Sequence, residues 1–254
     1  MTTLFISDLH LDASRPHITR LFVDFVHREA MRAEALYILG DLFEAWIGDD
    51  AADETADQVA DALSTLRARG VPCFFMHGNR DFLLGDAYAR RAGMTLLPDP
   101  SVVLVGGQPV LLMHGDTLCT DDAPYQSFRC QSHSPEWQRA FLARPVGERQ
   151  AFATAARAES QRYTRSVADA ITDVNAAAVD AAFREHGVTR LVHGHTHRPA
   201  VHRVDGLPEA GERIVLGDWY EQGSVLRSNA RIELLSLPTA SAKASGSLRQ
   251  EPRR

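Results

Sequence analysis

The sequence predicts an α/β fold in which helices lie against a parallel sheet. The first sign is a short run of apolar, β-prone residues that ends in a polar turn and recurs along the chain, as in TLFIS before Asp8 and ALYIL before Gly40. The second is a pair of stretches, 18–33 and 54–70, with apolar residues at the three- and four-residue spacing of amphipathic helices. Because strands and helices alternate, the strands are expected to run parallel.

The later part of the chain predicts different elements. Residues 101–113, SVVLVGGQPVLLM, indicate a hairpin that turns at Gly106 and Gly107. The stretches 213–228 and 230–237 have the pattern of antiparallel strands. We therefore expect the parallel sheet to be accompanied by antiparallel pairs.

The chain is expected to form a single domain over residues 1–236, interrupted by a mainly helical insertion at about 135–186. Residues 237–254 are rich in Ser, Ala, Pro, Lys and Arg, a composition that predicts a disordered tail. Of the 254 residues, 44% are hydrophobic and 24% charged, as in an ordinary globular protein. The net charge of −6 argues against generic nucleic-acid binding. Unpatterned cysteines and the lack of a signal-peptide pattern favour a cytoplasmic protein with reduced thiols.

The polar turns carry carboxylates, an amide and imidazoles but no thiolate. The candidate metal ligands are Asp8, His10, Asp41, Asn79, His114, His195 and His197. Since ligands gather at the carboxyl ends of parallel strands, these side chains are expected to converge. Seven ligands exceed what one ion uses, whereas two ions that share a bridging carboxylate would use four each. Imidazole with carboxylate suits manganese, iron or zinc better than calcium or magnesium.

Each candidate also has a structural interpretation. Asp8 and His10 alone would suit a strand-end turn, and Asp41 alone would suit a helix N-cap. We favour the ligand interpretation because the same kind of turn recurs in order along the chain. His77 and His193 precede glycine on the strand side, so we expect them to support the ligands and not to bind metal.

At this point the chain resembles a known family. Asp-x-His, Gly-Asp-x-x-Glu, Gly-Asn-Arg-Asp, His-Gly-Asp and Gly-His-Thr-His occur in the order found in the calcineurin-like metallophosphoesterases. GDLFEAWIGDD, HGNRDFLLG, MHGDTLCTDD and HGHTHRPAVH are together similar to the UDP-2,3-diacylglucosamine pyrophosphatases of lipid A biosynthesis. The resemblance covers about residues 1–236. It implies a β-sandwich flanked by helices, with the helical insertion as a lid.

The resemblance also implies roles for the ligands. Asp8, His10, Asp41 and His197 would hold one manganese ion. Asp41, Asn79, His114 and His195 would hold a second, with Asp41 bridging. A metal-activated water would attack the α-phosphorus of the UDP group and give UMP and 2,3-diacylglucosamine 1-phosphate. The catalytic residues implied are Asp41, Asn79, Arg80 and His195, with Arg80 stabilising charge on the phosphoryl oxygens.

Substrate contacts implied by the resemblance reach into the insertion. The positions concerned are Asn79, Arg80, Asp122, Ser160, Thr164, Val167 and His195. The family usually carries a lysine where this chain has Val167, and valine cannot neutralise a phosphate. Arg162 and Arg165 are nearby alternatives for that charge. The structural alternatives are an Arg80–Asp81 ion pair, and solvated loop and helix positions for the contacts in the insertion.

The insertion is basic and aromatic in an otherwise acidic chain. Residues 136–167 contain six arginines against three glutamates, with large apolar side chains among them. Such a segment over a metal site suits acyl chains and an anionic membrane surface, although packing between its own helices is the simpler alternative. The resemblance implies a monomer that acts on a glycolipid nucleotide at the cytoplasmic face of the bacterial inner membrane, as a peripheral protein.

Two other functions compete with this interpretation. One is a dimetal phosphodiesterase that acts on nucleotides or nucleic acid; the acidic net charge and the basic, apolar insertion argue against it. The other is a non-enzymatic scaffold of the same fold. Loss of metal ligands would indicate a scaffold, and all seven candidates are present.

Overall fold

The computed structural model describes residues 2–168, 171–206, 210–229 and 231–239. The strands are β1 (Thr3–Ile6), β2 (Ala35–Leu39), β3 (Cys73–Met76), β4 (Met94–Leu97), β5 (Ser101–Val105), β6 (Gln108–Leu112), β7 (Arg190–His193), β8 (Ala200–Val204), β9 (Gly211–Val215), β10 (Gly223–Ser228) and β11 (Ile232–Leu237). The α-helices are α1 (Pro16–Arg28), α2 (Glu54–Ala68), α3 (Asp86–Ala92), α4 (Ala123–Ser132), α5 (Pro135–Leu142), α6 (Val146–Ser166) and α7 (Ala176–His186).

Two mixed sheets form the centre of the molecule. The first has the order β11-β10-β1-β2-β3-β4, in which β1 to β4 are mutually parallel and β10 pairs antiparallel with β1. The second has the order β5-β6-β7-β9-β8, with β6, β7 and β9 parallel. The β5–β6 hairpin turns at Gly106 and Gly107, both at positive φ, as a two-residue hairpin loop requires.

The sheets face each other across a shared apolar core. Along β2, Leu36 and Ile38 pack on the helices of the first sheet, while Tyr37 and Leu39 belong to the core between the sheets. Successive side chains of a strand point to opposite faces, so one buried strand serves both layers. The expected β-sandwich flanked by helices is confirmed.

The segment that contains β9 was predicted to form antiparallel strands, and β9 does pair antiparallel with β8, as β10 does with β11. On its other edge β9 runs parallel to β7, with Arg190 opposite Glu212, and this parallel pairing was not predicted. The reason is that β8 reverses the chain and pairs antiparallel with the outer edge of β9, which leaves the other edge of β9 to meet β7 in the same direction. A local pattern of apolar residues does not show which neighbour a strand will take.

The helices differ in what they cover. The helices α1 to α3 pack on the first sheet, and α7 packs Val179 and Phe183 against the second sheet at Leu111 and Leu191. The helices α4, α5 and α6, called the lid helices below, lie over the carboxyl ends of the strands and line a cleft there.

The insertion limits of about 135–186 stay a prediction. In the described part of the chain no helix is long and apolar enough to span a membrane. From residue 240 onward the predicted tail lies outside the described residues.

Candidate metal centre and substrate cleft

The predicted ligands lie on strongly turned backbone directly after their strands. Positive φ values occur at Asp8 (56°), His10 (50°), Asp41 (53°), His195 (67°) and His197 (55°). Non-glycine residues rarely adopt this region, and each instance costs roughly 1–3 kcal/mol, so the surrounding structure must hold it. The turns brace one another, since Asp8 N donates to Gly40 O at 3.1 Å and His10 N donates to Asp41 O at 2.9 Å.

Four of the ligands form a first group. Asp8 Oδ1 lies 3.3 Å from His197 Nε2, and the Nε2 atoms of His10 and His197 are 3.3 Å apart. Asp41 Oδ2 lies 3.9 Å from His10 Nε2. These are the four side chains assigned to one ion by the resemblance.

The other predicted ligands form a second group on the far side of Asp41. Asn79 Oδ1 lies 3.1 Å from His114 Nε2 and 2.9 Å from His195 Nδ1. Asp41 Oδ1 lies 3.9 Å from His114 Nε2, so the two oxygens of Asp41 face different groups. Asp8 also has an oxygen within 4.8 Å of ligand atoms of both Asp41 and His114. Both carboxylates therefore lie between the groups.

A cation fits this arrangement. Asp8 is fully buried, and its Oδ2 accepts hydrogen bonds from Ser7 Oγ at 2.5 Å and His195 N at 2.9 Å. Its Oδ1 is buried and accepts no hydrogen bond, although it faces His197. Such an oxygen costs free energy unless a positive charge or a donor satisfies it. Burial opposes ionisation of Asp8, but the charges of His197, His114 and His10 lower its pKa below the ordinary value.

An oxygen atom behind each of three rings indicates which imidazole nitrogen faces the groups. His114 Nδ1 donates to Leu39 O at 2.9 Å. His10 Nδ1 lies 3.4 Å from Glu44 Oε2, and His197 Nδ1 lies 3.6 Å from Asp218 Oδ2. In all three rings Nε2 is thereby left for the site, as expected for metal ligands with an oxygen partner behind the ring.

His195 is oriented the other way, with Nδ1 toward Asn79. The Asn79 amide has two possible orientations, one that offers an oxygen to a metal ion and one that offers hydrogen-bond donors. With Oδ1 toward the rings of His114 and His195, it offers an oxygen ligand to the same point as they do. Reversed, its nitrogen would donate to both rings and to Asp41 Oδ2 at 3.2 Å, which satisfies the contacts without an ion.

The buried charges shift the imidazoles in opposite directions. Burial lowers the pKa of His114, but Asp41, Asp116 and Asp8 outweigh it and raise that pKa to about 9. Burial and the neighbouring charge of His114 lower the pKa of His195 to about 4. A cation at the second group must therefore displace the His114 proton, whereas His195 is neutral near pH 7.

Asp81 holds the ligand turns in place through hydrogen bonds to their backbone amides. Its carboxylate accepts from Gly78 N at 2.8 Å, Leu42 N at 2.7 Å and Asp41 N at 3.3 Å. Burial and the charge of Asp41 raise its pKa to about 6. Asp81 is thus used by backbone amides, and the alternative of an Arg80–Asp81 ion pair finds no support here.

His77 and His193 lie behind the site. His77 Nε2 donates to Leu84 O at 2.7 Å. His193 is fully buried, donates from Nδ1 to Gly194 O at 2.9 Å and accepts at Nε2 from Arg213 at 3.0 Å. Neither ring is among the groups described above.

A cleft of about 1070 Å³ opens beside the two groups. His10, Asp41, Asn79, His195 and His197 line one part of it. Its apolar walls include Phe82, Phe128, Trp137, Phe141 and Phe152. The predicted substrate contacts Arg80, Asp122, Ser160 and Thr164 also line it, together with Arg162 and Arg165. Val167, at the end of α6, is not among the lining residues.

Comparisons with known proteins identify the family to which the chain belongs. A family model described as calcineurin-like phosphoesterase matches residues 1–199. The chain belongs to this family. A UDP-2,3-diacylglucosamine hydrolase of Stenotrophomonas maltophilia is 59% identical over 91% of this chain and 96% of its own length, and one of Xanthomonas campestris is 56% identical over the same shares. Among solved structures, an archaeal phosphodiesterase is 11% identical over 93% of this chain and 100% of its own, with a TM-score of 0.48.

Asp122 joins two lid helices of this phosphoesterase. It is the N-cap of α4, where its carboxylate accepts from Tyr125 N at 3.1 Å, and it also accepts from the Tyr163 hydroxyl of α6 at 3.0 Å. The side chain is buried. Its position on the cleft wall is therefore accounted for by helix capping and lid packing, as well as by any contact with substrate.

Two arginines of α6 attach the lid to the body. Arg149 donates to Ile47 O at 2.6 Å and to Asp50 Oδ1 at 2.8 Å. Arg157 pairs with Glu44, the residue behind His10. One carboxylate of the body thus contacts both a predicted metal ligand and the lid.

Three residues that contact the predicted ligands His10 or His197 were not predicted from the sequence: Glu44, Asp218 and Tyr220. The Tyr220 ring stacks on His10 with centroids 5.1 Å apart and planes 3° apart. Asp218 follows β9 in the sequence IVLGD, which repeats the apolar run and Gly-Asp turn that precede and include Asp41. That repetition was a usable signal for Asp218. Glu44 is the last residue of the Gly-Asp-x-x-Glu motif, but the motif does not show its partners, because His10 and Arg157 are remote in sequence.

Proposed function

We propose that this chain hydrolyses UDP-2,3-diacylglucosamine to UMP and 2,3-diacylglucosamine 1-phosphate, a step of lipid A biosynthesis. The main observation behind the proposal is that one cleft combines two kinds of lining. Carboxylates and imidazoles cluster in one part of it, and aromatic side chains of the lid line another part. A substrate with a pyrophosphate and two acyl chains needs both. The high identity to hydrolases named for this substrate supports the same choice.

Two manganese ions are the proposed cofactors. Asp8, His10, Asp41 and His197 would hold one, and Asp41, Asn79, His114 and His195 the other. Bound there, such ions would supply Lewis acidity toward phosphoryl oxygens and would lower the pKa of a bound water. The opposed oxygens of Asp41 support its bridging role, and the donor set of oxygen and imidazole without thiolate supports manganese over softer choices.

The chain itself would orient and stabilise the reacting phosphate. Arg80 lines the cleft next to Asn79, and its permanently charged guanidinium would stabilise charge on the phosphoryl oxygens as water attacks the α-phosphorus. His195, kept neutral by burial and by His114, contributes a nitrogen ligand without adding positive charge. Arg80 and His195 are also proposed substrate contacts.

The lid would receive the diacylglucosamine phosphate. The rings of Trp137, Phe141 and Phe152 form one cluster, with centroid distances of 4.8 to 5.8 Å, on the cleft wall. Ser160 and Thr164 lie one turn apart on α6 and both line the cleft. Since Val167 does not line it and Arg162 and Arg165 do, we assign the missing lysine's role to the arginines.

The lid would also contact the membrane that holds the substrate. Phe128, Leu142 and Val146 are exposed apolar residues on the three lid helices, among the arginines of this segment. This combination suits peripheral binding to an anionic surface, here proposed as the cytoplasmic face of the bacterial inner membrane. We further propose that the chain acts as a monomer.

Steady-state turnover tests the proposed function. Metal-loaded protein in mixed micelles is given UDP-2,3-diacylglucosamine, UDP-N-acetylglucosamine and bis-p-nitrophenyl phosphate. We expect kcat/KM to be highest for the diacylated substrate and to fall when the acyl chains are absent. Activity should vanish with chelator and return with added manganese. Higher kcat/KM for the simple phosphodiester would instead favour the nucleotide phosphodiesterase alternative.

A further inference from the structure

A second, smaller pocket is lined by β8, β9 and the β7–β8 connection, which also lines the cleft. Its volume is about 280 Å³, and its polar lining comprises Asp173, Thr196, Arg198, His202 and Arg213. Thr196 and Arg198 line both this pocket and the cleft. The segment that carries His195 and His197 therefore contributes residues to both cavities, which adjoin there. We call this cavity the basic pocket.

Basic groups dominate the lining. Arg213 is half-buried and donates to His193 Nε2 at 3.0 Å, which fixes its guanidinium beneath the pocket. Arg198 pairs with Asp173 across the opening. Two guanidinium groups and an imidazole face one carboxylate, so the pocket favours a ligand with anionic or carbonyl oxygens that also offers hydroxyl donors.

The covalent structure of the substrate requires its nucleotide half and its acylated sugar to extend from the metal centre in different directions. The nucleotide and the acylated sugar are joined only through the pyrophosphate, which must lie at the ligand groups. The apolar part of the cleft beneath the lid suits the acyl chains, and it offers the polar uridine group few partners. The lining of the basic pocket includes Thr196, the next residue after His195, so the pocket adjoins the ligand groups.

We propose that the basic pocket binds the uridine nucleotide half of the substrate and of the product UMP. The proposal rests on the proposed function. Arg198 and Arg213 would donate to phosphate or uracil oxygens, and Asp173 would accept from the ribose hydroxyls. A volume of about 280 Å³ suits one nucleoside and excludes a sugar that carries two acyl chains.

Product binding tests the assignment on metal-loaded protein. We compare Arg198→Ala and His202→Ala with Arg203→Ala, a control on β8 whose side chain is exposed and pairs with Asp205 outside the basic pocket. UMP, uridine and inorganic phosphate are titrated by calorimetry, and inhibition by 2,3-diacylglucosamine 1-phosphate is measured alongside. We expect Arg198→Ala to weaken UMP binding about tenfold, the loss of one charged contact, and to change lipid-product inhibition less, since Arg198 also lines the cleft. His202→Ala, whose side chain lines only the basic pocket, should weaken UMP binding less and leave lipid-product inhibition unchanged, and the control should change neither.

The outcomes separate the pocket from the activity. Equal weakening of UMP and of the lipid product, or unchanged UMP binding in both variants, overturns the assignment. Binding of inorganic phosphate as tight as that of UMP would also overturn it, since the pocket would then recognise only an anion. If the chain binds UMP here but does not cleave UDP-2,3-diacylglucosamine, the proposed function fails and the pocket stands. If it cleaves the substrate and the variants bind UMP normally, the pocket fails alone.

Discussion

The strand-end turns and the lid helices are held in place by different kinds of contact. Every residue of β1 and β2 is buried, and the turns after them are fixed by backbone hydrogen bonds and by the buried carboxylate of Asp81. Of the residues described in α6, by contrast, only Arg149 is buried. The lid is attached by an aromatic cluster and by ion pairs to Asp50 and Glu44.

This difference assigns separate tasks to the two regions. Five turned residues at positive φ persist only where many contacts hold them, so the predicted ligands have little freedom to move. Segments with few buried apolar contacts open locally at lower free energy than the core. We therefore expect substitutions in the turns to act on kcat and metal binding, and substitutions in the lid to act on KM.

The largest effect is expected for Asp41→Asn. Asparagine tolerates the positive φ and keeps an acceptor for Arg80 N, which donates to Asp41 Oδ1 at 2.8 Å, so the turn should remain intact. The loss of a charge that faces both ligand groups should lower kcat by ~10³-fold or more, roughly 4 kcal/mol. Arg80→Ala should lower it by about 10²-fold. Steady-state kinetics with metal analysis checks this, and equal losses in kcat would contradict the bridging role.

Glu44→Gln tests the residue that contacts both regions. Without the carboxylate behind His10, manganese affinity should fall by about 10–100-fold. KM should rise as well, because Arg157 of the lid loses its partner. Calorimetric titration of manganese and kinetics at saturating metal separate the two effects. Glu136→Gln, an exposed pair partner of Arg139 within α5, is the matched control, and an equal effect there would refute the role of Glu44.

Arg149→Met tests the attachment of the lid. Methionine fills much of the same volume but cannot donate to Ile47 O or pair with Asp50. KM should rise by roughly tenfold, equivalent to ~1.4 kcal/mol, while kcat stays nearly constant. Arg139→Met removes only an exposed pair and serves as the control. Hydrogen exchange should accelerate in α6 and not in β1 to β3; acceleration throughout would mean global destabilisation instead.

The smallest effect is expected from acidification at the corner between α4 and α5. Burial and the charge of Arg129 lower the pKa of His133 to about 4, below its unfolded value of about 6.5. When the corner unfolds, His133 therefore binds protons more readily. The free energy of unfolding of the corner has its full value above pH ~6.5 and declines as the pH falls toward 4. After correction for the intrinsic pH dependence of amide exchange, the protection factors of the α4 and α5 amides should fall from pH 7 to pH 5. His133→Gln should abolish that fall, and an unchanged dependence would assign it to another group.

Much of the fold and the grouping of the candidate ligands follow from the sequence. Buried strands followed by polar turns are local patterns, so Asp8, Asp41, Asn79 and His195 were proposed as ligands without knowing which strands pair. That the seven candidate ligands come from both sheets was not predictable in this way. The parallel pairing of β7 with β9 depends on where β8 reverses the chain.

The supporting residues required three-dimensional contacts. Glu44 and Asp81 act on residues in other turns, and their motifs, Gly-Asp-x-x-Glu and Gly-Asn-Arg-Asp, do not show which residues they contact. Asp122 appeared as a loop residue in sequence and is a buried helix cap that also binds Tyr163. The position of Val167 outside the cleft depends on where α6 ends, which periodicity does not fix within a turn.

The central claim is that water attacks the α-phosphorus of UDP-2,3-diacylglucosamine at the carboxylate and imidazole cluster. The most direct test is a single-turnover reaction with manganese-loaded protein in ¹⁸O-labelled water, with the products analysed by mass spectrometry. The account predicts labelled UMP and unlabelled 2,3-diacylglucosamine 1-phosphate. Label in the sugar phosphate, or no cleavage of this substrate while a simple phosphodiester is hydrolysed, would contradict it.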